Sequence, residues 1–178
     1  GNNLPGVIGY RDIKDTDEMI GADAVAKSAP DGHTLLVIST GGMSAAPHLH
    51  KDIKYDSLKD FTLLSMIGQV TPVMSVPTAS GIRSVQELIA RARAAPGKLN
   101  YGSYGNGSYV HVAMEDFKLR TGADIMHVPY RGAAPAVTAI LQNEIATLIG
   151  NLGTIAPHAE SGAVRIIAST GEERYTMR

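Results

Sequence analysis

The stretch "YGSYGNGSYVH", residues 101–111, sets three glycines and three tyrosines among serine and asparagine, directly before an apolar stripe at helical spacing. That stripe is Val110, Ala113, Met114 and Phe117, one face of a helix that Gly122 closes. Ahead of the glycines, "KLNYGSY" reads as a short strand. The eleven residues are therefore a strand-to-helix junction. Toward the C-terminus the rhythm repeats: strand "DIMHVPY", a helix near Pro135–Asn143, strand "IATLIG", a helix near Thr154–Ser161 and strand "VRIIAST". Short apolar strands alternating with helices of about ten residues mark βαβ units and an α/β fold with a mostly parallel sheet.

Upstream, Ser84-Val85-Gln86-Glu87 fits a capping box, followed by an apolar face of Val85, Leu88, Ile89 and Ala92 that ends near Pro96-Gly97. "FTLLSMIGQVTPVMSVP" (61–77) reads as two strands interrupted at Gly68-Gln69. "HTLLVIST" (33–40) is almost wholly apolar, as in a strand buried on both faces, and it ends in Gly41-Gly42, which opens a loop or short helix through His50. A helix of small residues spans about Glu18 to Ser28 and stops at Pro30-Asp31-Gly32. Residues 1–17 read as an irregular opening segment.

Composition narrows the function classes. The 178 residues are 44 % hydrophobic and 19 % charged, a globular balance able to bury a core. The formal net charge is −1, so no long-range field draws the chain to nucleic acid or a membrane surface. With no cysteine there are no disulfides or zinc–thiolate sites, and no apolar run approaches the roughly 20 residues of a membrane helix. No leader pattern opens the sequence; if the protein is exported, its signal peptide is absent from this chain.

In open α/β sheets ligands bind beyond the carboxyl ends of strands. Four such junctions here are rich in glycine or small residues: Ser39–Gly42, Ser103–Ser108, Tyr130–Pro135 and Gly150–Thr154, the last carrying Asn151. At the second, Gly105, Asn106, Gly107 and Ser108 lead into a helix whose unpaired N–H groups and dipole suit a carboxylate or phosphate. The same residues would serve equally as a plain turn with a serine cap. The junction is no P-loop and lacks dinucleotide-binding spacing. At the third, Gly132, Ala133 and Ala134 leave N–H groups open, Pro135 suits a first helical position, and Arg131 could grip a carboxylate or simply face solvent. Tyr104 and Tyr130 flank these junctions and could offer hydroxyls to a cleft. The histidines, His48, His50, His111, His127 and His158 among them, form no metal pattern and read as surface or helix-end residues, with Asp116 and Glu115 on a solvated face. No nucleophile elbow or Ser/His/Asp set stands out.

Taken in order, "ADAVAKSAPDGHTLLVIST", "KDFTLLSMIGQ", "ELIARARAAPGKLNYGSYGNGSYVHVAMEDFKLRTGADIMHVPYRGAAPAVTAIL" and "NLGTIAPHAESGAVRIIASTG" resemble the Bug (TctC-like) proteins, periplasmic solute receptors of tripartite tricarboxylate transporters. The resemblance implies a type II-like "Venus flytrap" of two α/β lobes around a cleft. It also implies a small carboxylate ligand (a di- or tricarboxylate or an aromatic acid), delivery to membrane transporter subunits, and no cofactor. Carried onto this sequence, the ligand would meet Thr40, Gly41 and Gly42 from the first lobe, then Gly105, Asn106, Gly107 and Ser108, and Arg131, Gly132 and Ala133 from the second. Lobe boundaries are expected at 1–74 and 75–170, with 171–178 starting a return to the first lobe and hinges near Val70–Val76 and Ala168–Gly171. Three departures stand out. The family's opening strand with its glycine-rich loop has no counterpart, the C-terminal return stops near Arg178, and Gly150 stands where members often carry an acid. The chain thus resembles a fragment with an incomplete first lobe, for which self-association is expected. The Gly150 departure weakens the case for an amine-bearing ligand.

The residues favour a binding protein over an enzyme, since no positioned acid, base or nucleophile is evident, and the resemblance implies a periplasmic one. The alternative is a bilobal enzyme or effector-sensing domain acting on a phosphate or carboxylate ester.

Overall fold

A computed structural model describes residues 18–171. The readings made on residues 1–17 and on the return beyond Gly171 lie outside the described residues. The chain divides into two compact units, residues 1–65 with 107–109, and residues 66–106 with 110–178.

The second unit is a five-stranded sheet flanked by helices. Its strands are β1 (Pro72–Pro77), β2 (Leu99–Ser103), β3 (Ile125–Pro129), β4 (Thr147–Asn151) and β5 (Val164–Ser169), in the spatial order β3-β2-β4-β1-β5. β2 pairs in parallel with β3 and with β4, whereas β1 runs antiparallel to both β4 and β5. Four strands therefore share one direction, and β1 is inserted against them. The α/β class holds, but the sheet is mixed, because β1 enters without a helical crossover from a neighbouring parallel strand. A strand buried on both faces has the same apolar character in either direction.

β1 and β4 are central and almost wholly buried. Their buried hydroxyls cross-link them: Ser75 Oγ donates to the Leu148 carbonyl at 3.0 Å, and Thr147 Oγ1 donates to the Ser75 carbonyl at 3.0 Å. Both polar groups are thereby satisfied within the core. The edge strand β3 exposes Met126 and ends in Pro129, a residue tolerated at an edge, where no partner needs its N–H.

The helices of this unit are α3 (Val85–Ala94), α4 (Tyr109–Thr121), α5 (Ala133–Leu141) and α6 (Leu152–Glu160). Leu88 and Ala92 of α3, Val110 and Met114 of α4, Ala136, Val137 and Ile140 of α5, and Ile155 of α6 are buried with Val73, Ile125 and Leu148. Ser84 caps α3 by accepting from the Glu87 N–H at 3.2 Å. Glu87 reaches back one residue further than a capping box requires, to the Arg83 N–H at 2.7 Å. Ser84→Ala should therefore destabilise the protein by about 1 kcal/mol. In urea this would lower the unfolding midpoint with an unchanged slope. Gly122 closes α4, its N–H donating to the Lys118 carbonyl at 2.8 Å.

The first unit contains α1 (Glu18–Ala26), a π-helical turn over Gly41–Ala45 and α2 (Ala46–Leu49). Its buried hydrophobic residues among those described are Ala22, Ala46 and Tyr55. The Tyr55 hydroxyl donates to the Gly42 carbonyl at 2.6 Å, and its ring meets Phe61 edge-on.

Two expected strands do not form. Residues 33–39 and 61–71 are in no ladder, with Leu35 and Val37, and Leu63, Leu64, Met66 and Ile67, exposed. Apolar, strand-like composition is insufficient by itself: a strand exists only where another backbone accepts its N–H and C=O groups.

Candidate functional site

In the second unit the order of the strands points to a candidate site. From β2 the chain crosses through α4 to β3 on one side, then returns through α5 to β4 on the other. Such a reversal opens a crevice outside the carboxyl ends of the strands beside it, here β2 and β4. Tyr104, Gly105 and Asn106 follow β2, Tyr130, Arg131 and Gly132 follow β3, and Asn151 ends β4.

Besides α4, which follows β2, two helices begin after the carboxyl ends of these strands. α5 starts at Ala133 behind Gly132, two residues earlier than Pro135 suggests, so the proline sits in the first turn, where no N–H is missed. α6 starts behind Asn151, and the Leu152 N–H donates to the Thr71 carbonyl at 3.3 Å. Neither helix has a side-chain cap bond or an acid in its first turn. The positive ends of both dipoles are thus left without a negative partner from their own first turns. Arg131 is exposed and forms no salt bridge among the described residues. Desolvation, then the charge of Glu144, raises the pKa of Tyr130, keeping it a neutral hydroxyl.

Tyr104 is buried, and its hydroxyl occupies the space a side chain at 150 would need. A Cβ on Gly150 would lie 2.9 Å from that oxygen and 2.9 Å from Ile155 Cγ1. Glycine at 150 is therefore the partner of Tyr104, and an acid there would have to displace it.

The glycine-rich junction is divided between the units: Gly105 and Asn106 belong to the second, Gly107 and Ser108 to the first. Within the first unit, a Cβ at Gly41 would lie 3.6 Å from the Tyr109 nitrogen and 3.7 Å from the Gly107 carbonyl oxygen, and one at Gly107 would lie 3.0 Å from Leu49 Cδ1. Gly41 and Gly107 are thus close packing partners. Gly42 is committed internally, its N–H to Ser39 Oγ at 3.3 Å and its carbonyl to Tyr55. Thr40 is exposed ahead of the π-helical turn and makes no capping bond there.

A cluster that the sequence reading passed over lies beneath the Gly105 turn. His127 Nε2 is 2.6 Å from Ser103 Oγ, and the His127 ring stacks on Tyr101 (4.9 Å between centroids) and on His111 (4.1 Å). The Tyr101 hydroxyl donates to Glu115 at 2.6 Å, Lys118 donates to the same carboxylate at 2.8 Å, and the Lys118 ammonium lies over the Tyr101 ring. Burial, followed by the Glu115 hydrogen bond and charge, holds Tyr101 far above the usual phenol range. At Glu115 desolvation is the largest influence and pushes upward, but the bonds from Lys118 and Tyr101 prevail and the carboxyl sits below its ordinary value. His127 is lowered by desolvation and by His111, with Glu115 opposing and Lys118 adding to the depression. His127, inside β3, is thus not the surface or helix-end residue expected, whereas His111 does lie in the first turn of α4 and stacks on it. The available signal was strand alternation, which puts His127 on the same side of β3 as buried Ile125.

Among the described residues no group of three or more His, Asp or Glu side chains is placed to hold a metal, and no helix is long and apolar enough to cross a membrane.

Helices α5 and α6 thus both start without a side-chain cap bond at the carboxyl end of the sheet, beside the point where the chain reverses direction. Comparison with known proteins identifies the family. The profile of the tripartite tricarboxylate transporter family receptors matches residues 12–177, and the chain belongs to that family. It is 37 % identical to protein BugT of Bordetella pertussis over 159 residues, 89 % of this chain and 49 % of the relative. It is 32 % identical to a UPF0065 protein encoded between tcbD and tcbE in Pseudomonas sp. strain P51, over 88 % of this chain and 46 % of that one. The structure of R. palustris Rpa4515 with adipate superposes with a TM-score of 0.80 at 35 % identity, over 88 % of this chain and 52 % of that one. The chain spans about half the length of the curated relatives it matches.

Proposed function

We propose that this chain is part of a periplasmic solute receptor that captures a small carboxylate for delivery to a membrane transporter. The observation that carries the reading is the pair of helix starts, α5 and α6, which open at the carboxyl end of the sheet without a side-chain cap bond or an acid in the first turn. An anion placed there would meet backbone N–H groups and the positive ends of helix dipoles. Within the second unit, Asn106, Arg131, Gly132, Ala133 and Asn151 are the residues to hold it, with Gly105, whose N–H is taken by Ser103 Oγ, shaping the turn beside them and Arg131 supplying the full positive charge. Membership of a receptor family and the adipate held by Rpa4515 support the same ligand class.

Capture without chemistry also fits the Ser103–His127 contact, which superficially resembles a nucleophile with its base. Ser103 is fully buried, and its hydroxyl is in contact with both backbone groups of Gly105. It is built to hold a turn and not to attack a substrate.

A thermal-shift panel of adipate, malate and citrate tests the proposal. A true ligand at a hundred times its dissociation constant should add about 2.7 kcal/mol of stability. Arg131→Ala should sharply reduce that shift while leaving the ligand-free transition in place. No shift with any member of the panel would overturn the reading.

A further inference from the structure

We propose that His127 is a positioning residue for the carboxylate cradle, acting through Ser103 to fix the turn at Gly105. The inference rests on the reading that Asn106 lines the ligand site beside the turn at Gly105, but its physical basis is separate. Ser103 Oγ is engaged three times: by the Gly105 N–H at 3.2 Å, by the Gly105 carbonyl at 3.1 Å and by His127 Nε2 at 2.6 Å. A hydroxyl has one proton to donate and two lone pairs. All three contacts are satisfied together only if Oγ–H points to the Gly105 carbonyl while the Gly105 N–H and a His127 Nε2–H both donate to Oγ. In the other neutral tautomer, Oγ–H must turn to Nε2, and the Gly105 carbonyl loses its donor. The proton on Nε2 therefore locks both polar groups of the residue that begins the glycine-rich turn.

The surroundings of the ring determine how firmly that state is held. The charged and titratable groups facing His127 are Tyr101 from β2 and His111, Glu115 and Lys118 from α4. Its two stacking partners fix the ring plane. A second proton would put a charge into a partly buried stack beside His111 and Lys118, with Glu115 as the only opposing charge among those four. Burial and His111 accordingly keep the imidazole neutral to below the ordinary value of about 6.5. The turn is held by a neutral donor through neutral pH; a second proton would go to Nδ1 and bring a charge beside the turn while leaving the Nε2–H donor in place.

The test is imidazole and amide ¹⁵N NMR on the full chain, with adipate affinity measured in parallel. At pH 7.5 His127 should carry its proton on Nε2, and the Gly105 amide should titrate with the His127 midpoint. Ser103→Ala should uncouple the two. His127→Phe, which keeps a stacked ring and removes the donor, should move the Gly105 amide already at neutral pH and weaken adipate about tenfold. His127→Gln, which presents an N–H near the Nε2 position, should restore both while abolishing the pH response. An Nδ1–H tautomer, or a Gly105 amide indifferent to Ser103→Ala, would overturn the inference even if His127→Phe failed to fold. If adipate did not bind the parent chain while Gly105 still followed His127, the relay would stand and the adipate arm of the functional reading would fall.

Discussion

Tyr101→Ala should destabilise the protein by about 3–5 kcal/mol, the range for deleting a large buried aromatic side chain. Tyr101 is fully buried on β2, so its removal leaves a cavity beside α4 and His127. It also removes one of the rings that fix His127 and the hydroxyl that donates to Glu115. Tyr101→Phe separates these contributions. It keeps the packing and the stack and should cost only about 1 kcal/mol for the lost hydrogen bond. Its signature is the titration of Glu115, which should rise toward the ordinary carboxyl value once one of its two donors is gone. Denaturant unfolding of the two variants, with carboxyl ¹³C shifts against pH for the second, checks both statements. A Phe variant as unstable as the Ala variant would place the energy in the hydroxyl and refute the packing argument.

The same cluster gives the protein a defined response to acid. The folded-state pKa of His127 lies below the unfolded one, so the unfolded chain takes up the proton first. Its contribution is fully present above about pH 6.5 and declines as the pH falls from there through the folded-state value. Glu115, also depressed, adds a second loss below the ordinary carboxyl range, beginning near pH 4.5.

Where structure is local, the sequence was legible. Ser84 and Glu87 marked the start of α3, Gly122 marked the end of α4, and the apolar stripe from Val110 to Phe117 marked the helix between them. Strands β2 to β4 were legible because each lies between helices of readable period, and β5 because it follows one. The direction of β1 was not, since it depends on how the chain enters the sheet. Nor could composition show that residues 33–39 and 61–71 lack partner strands, because pairing is a property of two segments and periodicity of one. At the candidate site the glycines and Arg131 were visible as a pattern. The contacts of Tyr104 with the space above Gly150, and of His127 with Ser103, join residues far apart in sequence, which no spacing rule connects.

The largest expected effect on binding comes from Gly132→Ala. Gly132 precedes α5 with φ 104° and ψ −178°, a conformation that essentially only glycine adopts. Alanine there either holds the strained backbone, at about 1–3 kcal/mol, or relaxes and swings the first turn of α5. Relaxation redirects the Ala133 and Ala134 N–H groups and moves Arg131 with them, so a carboxylate bound at this end of the sheet should lose more than tenfold in affinity, about 1.4 kcal/mol. Gly162→Ala is the matched control. Gly162 also has a positive φ, 78°, but it follows α6 at the opposite end of that helix, with nothing near its Cβ position. It should lose stability comparably, about 1 kcal/mol, and leave affinity unchanged. Calorimetric titration of both variants with the ligand that gives the largest thermal shift discriminates the cases. Equal losses of affinity in the two would mean that global stability, and not the start of α5, governs binding; a loss confined to Gly132→Ala would tie the ligand to that helix terminus.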